Sequence, residues 1–127
     1  MAKNKIAWCH KAMLPVPFGF CPNKKTWDKE MKRRKIKEPY PKSDARCTFF
    51  EGNKTTSKFI LVAIPNTEYD KNDNLVEITG LLVHESLHVL QFQKEVMGED
   101  SHPIEYDAYI LQYIFQSLYS EYLRTRQ

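Results

Sequence analysis

Apolar residues recur at helical intervals through much of the second half of the chain. From Leu75 to about Met97 they repeat every three or four residues, which predicts one long helix. Asn74 stands where an N-cap is expected, and Glu77 follows three residues later as in a capping box. Gly98 stands where a glycine often ends a helix. The capping residues and the apolar repeat therefore predict the same start and end for this helix.

A second long helix is predicted after a short polar connection. Ser101 or His102 would cap it, and Pro103 would lie in its first turn. Its apolar positions alternate between spacings of four and three residues, which describes one buried face. These positions are Ile104, Ala108, Leu111, Phe115, Leu118 and Tyr122. Because the connection is short, the two helices should pack as a hairpin.

Shorter patterns precede these helices. Residues 46–51 and 58–64 are predicted as two strands that pair as a hairpin. Residues 26–35 are predicted as a helix that ends before two prolines, with Trp27 and Met31 on its apolar face. The chain before this helix is predicted to be irregular, with room for a short strand.

The order helix, hairpin, helix, helix predicts an α+β fold, in which a small antiparallel sheet packs against the two C-terminal helices. A length of 127 residues and an apolar content of 42% suit a single domain spanning residues 1–127. No apolar run approaches the roughly 18 residues that would cross a membrane. The basic start lacks the apolar stretch of a secretory signal, so we expect no membrane partner and a cytoplasmic location.

Positive charge is concentrated between residues 24 and 37, where eight lysines and arginines outnumber two carboxylates. The whole chain carries only +3. Such a cluster can bind nucleic acid, but it is also typical of the solvated face of a helix. Because the chain has no zinc-finger or helix-turn-helix signature, we do not expect a nucleic-acid partner.

The three cysteines argue against a disulfide framework, because they are an odd number in a chain without a secretory signal. Cys9, Cys21 and Cys47 could form a structural zinc site with His10, but their spacings match no Cys-x-x-Cys knuckle. We therefore expect reduced thiols, at least one of them in the core.

Residues 84–88 match the pattern H-E-x-x-H. On a helix, His84 and His88 project from the same face one turn apart and can bind one Zn²⁺. Glu85 then lies where it can take a proton from a zinc-activated water, which makes it the predicted general base of a hydrolytic reaction.

The surroundings of the motif strengthen this interpretation. Between Ile78 and Phe92 the residues are mostly apolar, and Glu85 is the only carboxylate. We therefore expect a helix buried on nearly every side, in which ionisable groups are costly unless they are paired or bound to metal. The alternative is that the two histidines are hydrogen-bonded core residues.

Such a zinc site needs a third protein ligand. The metzincin pattern is absent, because Gln91 stands where that pattern has glycine. Four downstream residues are candidates, namely Glu99, Asp100, His102 and Glu105. Gln91 itself could contact the site or make an interhelix hydrogen bond. Tyr106, Tyr109 or His102 could donate a hydrogen bond to a developing oxyanion.

Several motifs resemble those of a small family of phage- and prophage-encoded H-E-x-x-H proteins, regarded as zinc metallopeptidases. They are Phe18-Gly19-Phe20-Cys21-Pro22, Trp27 with Lys29-Glu30-Met31-Lys32, Pro39-Tyr40-Pro41, Leu82-Val83-His84-Glu85-Ser86-Leu87-His88-Val89, Gly98-Glu99-Asp100 and Glu105-x-x-Ala108-Tyr109-x-x-Gln112. Glu105-x-x-Ala108 also resembles the arrangement in gluzincins, whose third ligand is a Glu on the next helix. That resemblance implies a minimal zincin-like domain with Glu105 as the third ligand, and His102 remains the alternative. It also implies that the hairpin at 46–64 aligns an extended peptide.

We therefore expect zinc-dependent hydrolysis of a peptide or protein substrate, with zinc held by His84, His88 and Glu105 and with Glu85 as general base. A phage origin would place the protein in the host cytoplasm or the virion. One alternative is a non-catalytic phage binding or assembly module on a zincin scaffold. Another is a nucleic-acid-binding protein that uses the basic helix at 24–37.

Overall fold

A computed structural model describes residues 4–9, 14–67, 75–98 and 104–126, without the side chains of Ile104 and Glu105. Its elements confirm the α+β class. In chain order they are β1 (Ala7–Cys9), β2 (Phe18–Cys21), α1 (Lys24–Arg34), β3 (Arg46–Phe50), β4 (Phe59–Ala63), α2 (Leu75–Met97) and α3 (Ile104–Thr125). No helix among the described residues has the length and apolar character needed to cross a bilayer.

The four strands form one sheet in the order β1-β2-β4-β3. β3 and β4 pair antiparallel, with Arg46 opposite Ala63, which confirms the predicted hairpin. β2 and β4 pair parallel, with Phe18 opposite Ile60. The sheet is therefore mixed, and the prediction of an antiparallel sheet was wrong. β2 has four residues, all buried, so it lacks the polar alternation by which a strand is recognised.

Gly19 explains how β1 fits against β2. A Cβ atom at this position would lie 2.8 Å from the Ile6 side chain and 3.1 Å from the Ala7 carbonyl oxygen. The absence of a side chain thus lets the two short strands approach closely.

Apolar side chains on the two faces of the sheet form separate clusters. On one face, Phe20, Ile60 and Val62 pack against α2 and α3. On the other, Phe59 and Leu61 pack against α1. The molecule therefore has three layers, with the sheet between α1 and the α2–α3 pair.

α1 begins two residues before its predicted start. Asn23 is the N-cap, and its side chain accepts a hydrogen bond from the Thr26 backbone N–H at 2.9 Å. Lys35, with φ of 59°, ends the helix in the left-handed conformation. Trp27 is fully buried and donates from Nε1 to the Glu38 carbonyl oxygen at 2.8 Å.

α2 has the predicted bounds, and Gly98 follows it with φ of 70°, as expected of a terminating glycine. The predicted cap at Asn74 lies outside the described residues. The expectation of burial on nearly every side between Ile78 and Phe92 was wrong, since both Val83 and Leu87 are 43% exposed. Outside that stretch, Val76 is 82% exposed. The sheet and α3 cover two sides of α2, and the third side faces solvent.

The apolar stripe of α3 was predicted correctly only in its second half. Leu118 and Tyr122 are buried as expected, but Ala108 is exposed. Ile110 and Ile114 are buried in place of Leu111 and Phe115, which are half-buried. The buried face is rotated because α3 packs against β1 and β2 as well as against α2.

A buried glutamine on α2 holds the segment that leads into β2. Gln93 is fully buried, and its Oε1 accepts from the Val16 N–H at 3.0 Å. Its Nε2 donates to the Val16 carbonyl oxygen at 2.6 Å. Both backbone groups of Val16 are therefore satisfied by one side chain.

Replacing Gln93 with Leu should lower the free energy of unfolding by about 2–6 kcal/mol. The substitution leaves two buried backbone groups unpaired, and each costs about 1–3 kcal/mol. Urea denaturation followed by circular dichroism measures the effect. Gln116→Leu on the exposed face of α3 is the matched control and should change stability by less than about 0.5 kcal/mol. Equal losses in the two variants would contradict the role given to Gln93.

Candidate metal centre

α2 brings the two predicted histidine ligands together. The Nε2 atoms of His84 and His88 lie 3.2 Å apart, and their ring centroids are separated by 4.8 Å. Two nitrogens that each bind zinc at about 2.0–2.1 Å in tetrahedral geometry are about 3.3 Å apart. The imidazoles are therefore already spaced for one shared ion, and their donor chemistry suits zinc.

The histidines lie at the boundary between core and solvent. His84 is exposed and His88 is half-buried, so the histidine pair lies at the surface of the helix. The alternative that both histidines are core residues is thus wrong for His84. Access from solvent is what a catalytic metal requires, whereas a structural zinc site is closed by protein ligands.

Glu85 points to the β3 side of α2 and is 5% exposed. The backbone N–H of Cys47 on β3 donates a hydrogen bond to its carboxyl group. Burial raises the pKa of Glu85 above its ordinary value, although His84, His88, this hydrogen bond and Arg46 each lower it. The Cys47 contact could not be predicted from the sequence, because it depends on how β3 docks on the helix.

The centre lies beside an edge of the sheet. Among the described residues β3 pairs with β4 alone, so its other edge carries no strand. The Phe49 ring on β3 stacks on Phe92 of α2 with centroids 5.0 Å apart, which fixes this edge against the helix. The two histidines, Glu85 and the edge of β3 are therefore neighbours.

The structure decides the question left open for Gln91. The Nδ1 atom of His88 lies 3.0 Å from the side-chain oxygen Oε1 of Gln91, one turn further along α2. Gln91 therefore contacts a candidate ligand, and it makes no interhelix bond, which was its alternative, with any residue that the structure describes.

The third ligand is not defined by the structure. Glu99, Asp100 and His102 lie outside the described residues, as does the side chain of Glu105. Within the part of the chain that the structure describes, no three His, Cys, Asp or Glu residues are grouped to hold a metal. The backbone of Glu105 belongs to the first turn of α3.

An ion pair shows which residues of α2 lie beside the start of α3. Lys94 Nζ lies 2.9 Å from Asp107 Oδ2, so the first turn of α3 is next to the last turns of α2. His88 is six residues before Lys94, or about 9 Å along the axis. Glu105 precedes Asp107 by two residues and therefore lies about 3 Å further from the level of His88. A bond from Glu105 to the same ion as His88 requires α3 to shift along α2.

The cysteines do not form a shared site. Cys9 and Cys47 are on β1 and β3, the opposite edges of the sheet, three strand spacings or about 14 Å apart. Cys21 packs in the other apolar cluster, on the α1 face. His10 lies outside the described residues.

Burial also keeps the thiols protonated. Burial raises the pKa of Cys9 to about 11, helped by the charge of Glu121 and opposed by a hydrogen bond with Ser117. Burial raises the pKa of Cys21 to about 12. Burial, with the nearby Glu85, also raises the pKa of Cys47. Thiolate, the form that binds zinc, is therefore scarce at neutral pH.

The basic helix is remote from the histidine pair. α1 covers the face of the sheet opposite to α2 and α3. Some of its charge is paired, since Lys24 lies 2.7 Å from Asp28 and Glu30 lies 2.5 Å from both Arg33 and Arg34. An anionic partner bound to α1 would thus lie across the sheet from the candidate metal centre.

No protein-family model, curated protein or solved structure matches this chain. The resemblance to phage-encoded H-E-x-x-H proteins, and the phage origin that it implies, therefore stay predictions.

Proposed function

We propose that the protein is a zinc-dependent peptidase of the zincin type. The observation that carries this proposal is the pair of Nε2 atoms of His84 and His88, 3.2 Å apart, with the carboxyl group of Glu85 on the adjoining, buried side of the same helix turn. Two nitrogen ligands and one carboxylate base at this spacing are the part of a zincin site that a single helix supplies, and a third ligand completes it.

Each residue has one task in this proposal. His84, His88 and Glu105 hold the ion, and the proposed ligation by Glu105 requires α3 to shift along α2 toward the level of His88. Zinc bound there would act as a Lewis acid, which would polarise the scissile carbonyl and activate water. Glu85 accepts the proton of the attacking water and passes it to the leaving amine. The hydrogen bond from the Cys47 N–H holds the Glu85 carboxyl group in place.

The edge of β3 supplies the place for the substrate. An extended peptide can add to an unpaired sheet edge through backbone hydrogen bonds, which do not depend on its sequence. Because β3 is fixed to α2 through Phe49 and Phe92, a peptide added there would run past the histidine pair. This arrangement favours an unfolded or extended segment as substrate.

A non-catalytic binding module is the second candidate. The exposed Val76, Val83 and Leu87 of α2 favour it, because exposed apolar side chains on one helix face are typical of a partner surface. This surface does not need the metal, so a binding module would keep its partner when the zinc is removed.

Cleavage of a complex peptide library tests the proposed activity. The purified protein is loaded with zinc and incubated with peptides from a bacterial proteome, and new termini are identified by mass spectrometry. We expect cleavage that stops on chelation and returns when zinc is added. The absence of new termini in the zinc-loaded sample, or cleavage that is insensitive to chelator, would contradict the proposal.

A further inference from the structure

The hydrogen bond between Gln91 and His88 determines which ring nitrogen of the histidine carries the proton. The Gln91 atom that faces the imidazole is Oε1, 3.0 Å from Nδ1 of His88. An amide oxygen accepts hydrogen bonds and cannot donate them. The proton of a neutral His88 imidazole must therefore be on Nδ1, and its Nε2 carries a lone pair.

This lone pair faces the other candidate ligand. The Nε2 of His88 faces the Nε2 of His84 at 3.2 Å. In the metal-free protein the two nitrogens can form a hydrogen bond, in which the Nε2–H of His84 donates to His88. His88 is then ready to bind an ion, whereas His84 must move its proton from Nε2 to Nδ1 first.

We propose that Gln91 is a positioning residue that fixes His88 in the Nδ1–H tautomer and so prepares its Nε2 as a metal ligand. A residue three positions after His88 lies on the same side of the helix, which explains how a side chain from α2 itself can reach the ring. Metal-binding histidines commonly donate their other N–H to such an acceptor, and loss of the acceptor typically lowers metal affinity 10–100-fold. The metal-binding part of this inference rests on the proposed function, but the tautomer does not.

Nitrogen-15 NMR of the metal-free protein tests the tautomer directly. Spectra recorded near pH 8.5, about two units above the ordinary histidine pKa of about 6.5, report which nitrogen of each neutral ring carries the proton. We expect Nδ1–H for His88 in the wild type and in Gln91→Glu, whose carboxylate also accepts. In Gln91→Met, which keeps the length of the side chain but removes the acceptor, we expect a substantial Nε2–H fraction.

Zinc affinity is measured on the same variants by competition with a chromogenic chelator. Gln91→Met should weaken binding about 10–100-fold, and Gln91→Glu should restore it to the wild-type value or better. Gln112→Met, at an exposed position of α3, is the matched control and should change neither the tautomer nor the affinity. Gln91 is itself exposed, so these variants should fold.

The outcomes separate this inference from the proposed function. An Nε2–H tautomer for His88 in the wild type would overturn the role of Gln91, as would wild-type zinc affinity in Gln91→Met. If the tautomers are as expected but the protein binds no zinc, the control of His88 by Gln91 is supported and the metallopeptidase is refuted.

Discussion

Replacing Glu85 with Gln should lower the rate of peptide hydrolysis by about 10²–10⁴-fold, the usual contribution of a positioned general base. The amide has nearly the same shape as the carboxylate but cannot accept a proton from water. Its oxygen can still accept the hydrogen bond from the Cys47 N–H, so the fold and the position of the side chain should be preserved. The expected variant is folded, binds zinc and is inactive.

The rate is measured on a peptide found in the library screen, and zinc content and thermal unfolding are measured on the same preparation. Glu95→Gln is the control, because Glu95 is an exposed carboxylate on the same helix. It should retain the wild-type rate. A Glu85→Gln variant with undiminished activity would show that another group accepts the proton.

Zinc should be lost almost completely when either histidine is replaced by Ala. The wild-type protein should carry about one zinc per chain after dialysis, since two imidazoles and one carboxylate form a complete catalytic ligand set. Removal of a direct ligand should cost more than the 10–100-fold in affinity that removal of a ligand's hydrogen-bond partner costs. Elemental analysis of His84→Ala and His88→Ala measures the loss. Zinc retained in both variants would place the ion elsewhere in the chain.

The same assay decides the third ligand. Glu105→Ala should lose zinc to a similar extent, and His102→Ala should keep it. The reverse result would assign the ligand to His102, and zinc retained in both variants would remove both assignments. Because the Lys94–Asp107 ion pair places the start of α3 beside the end of α2, this is the most demanding test of the zincin interpretation.

Long periodic segments were the part of the fold that the sequence predicted best. The bounds of α2 agree at both ends, because its period extends over 23 residues and a glycine ends it. The β3–β4 hairpin was also predicted, since both strands are adjacent in sequence and joined by turn residues. Before α1 only room for one short strand was predicted, without bounds, because four residues of β2 buried on both faces give no periodic signal.

The candidate site could be predicted as far as it depends on one helix. The spacing of His84 and His88 is a property of the helical repeat, so the sequence alone predicts that they meet. The partners of Gln91 and Glu85 depend on the choice between competing side-chain contacts and on the docking of β3. The exposure of Val83 and Leu87 depends on which sides of α2 are covered. The Gln91 contact lies within α2, but its choice over an interhelix bond required the tertiary structure, as did the other two features.

The parallel pairing at the centre of the sheet affects the order in which the chain folds. Phe18 of β2 pairs with Ile60 of β4, so a loop of about 40 residues must close, at an entropic cost of about 3 kcal/mol plus a constant. β3 and β4 are joined by a short turn, and α2 and α3 are also sequence neighbours. Contacts between such neighbours form sooner than distant ones. We therefore expect β3, β4, α2 and α3, which include the histidine pair and Glu85, to organise before β2 inserts beside β4 and completes the core.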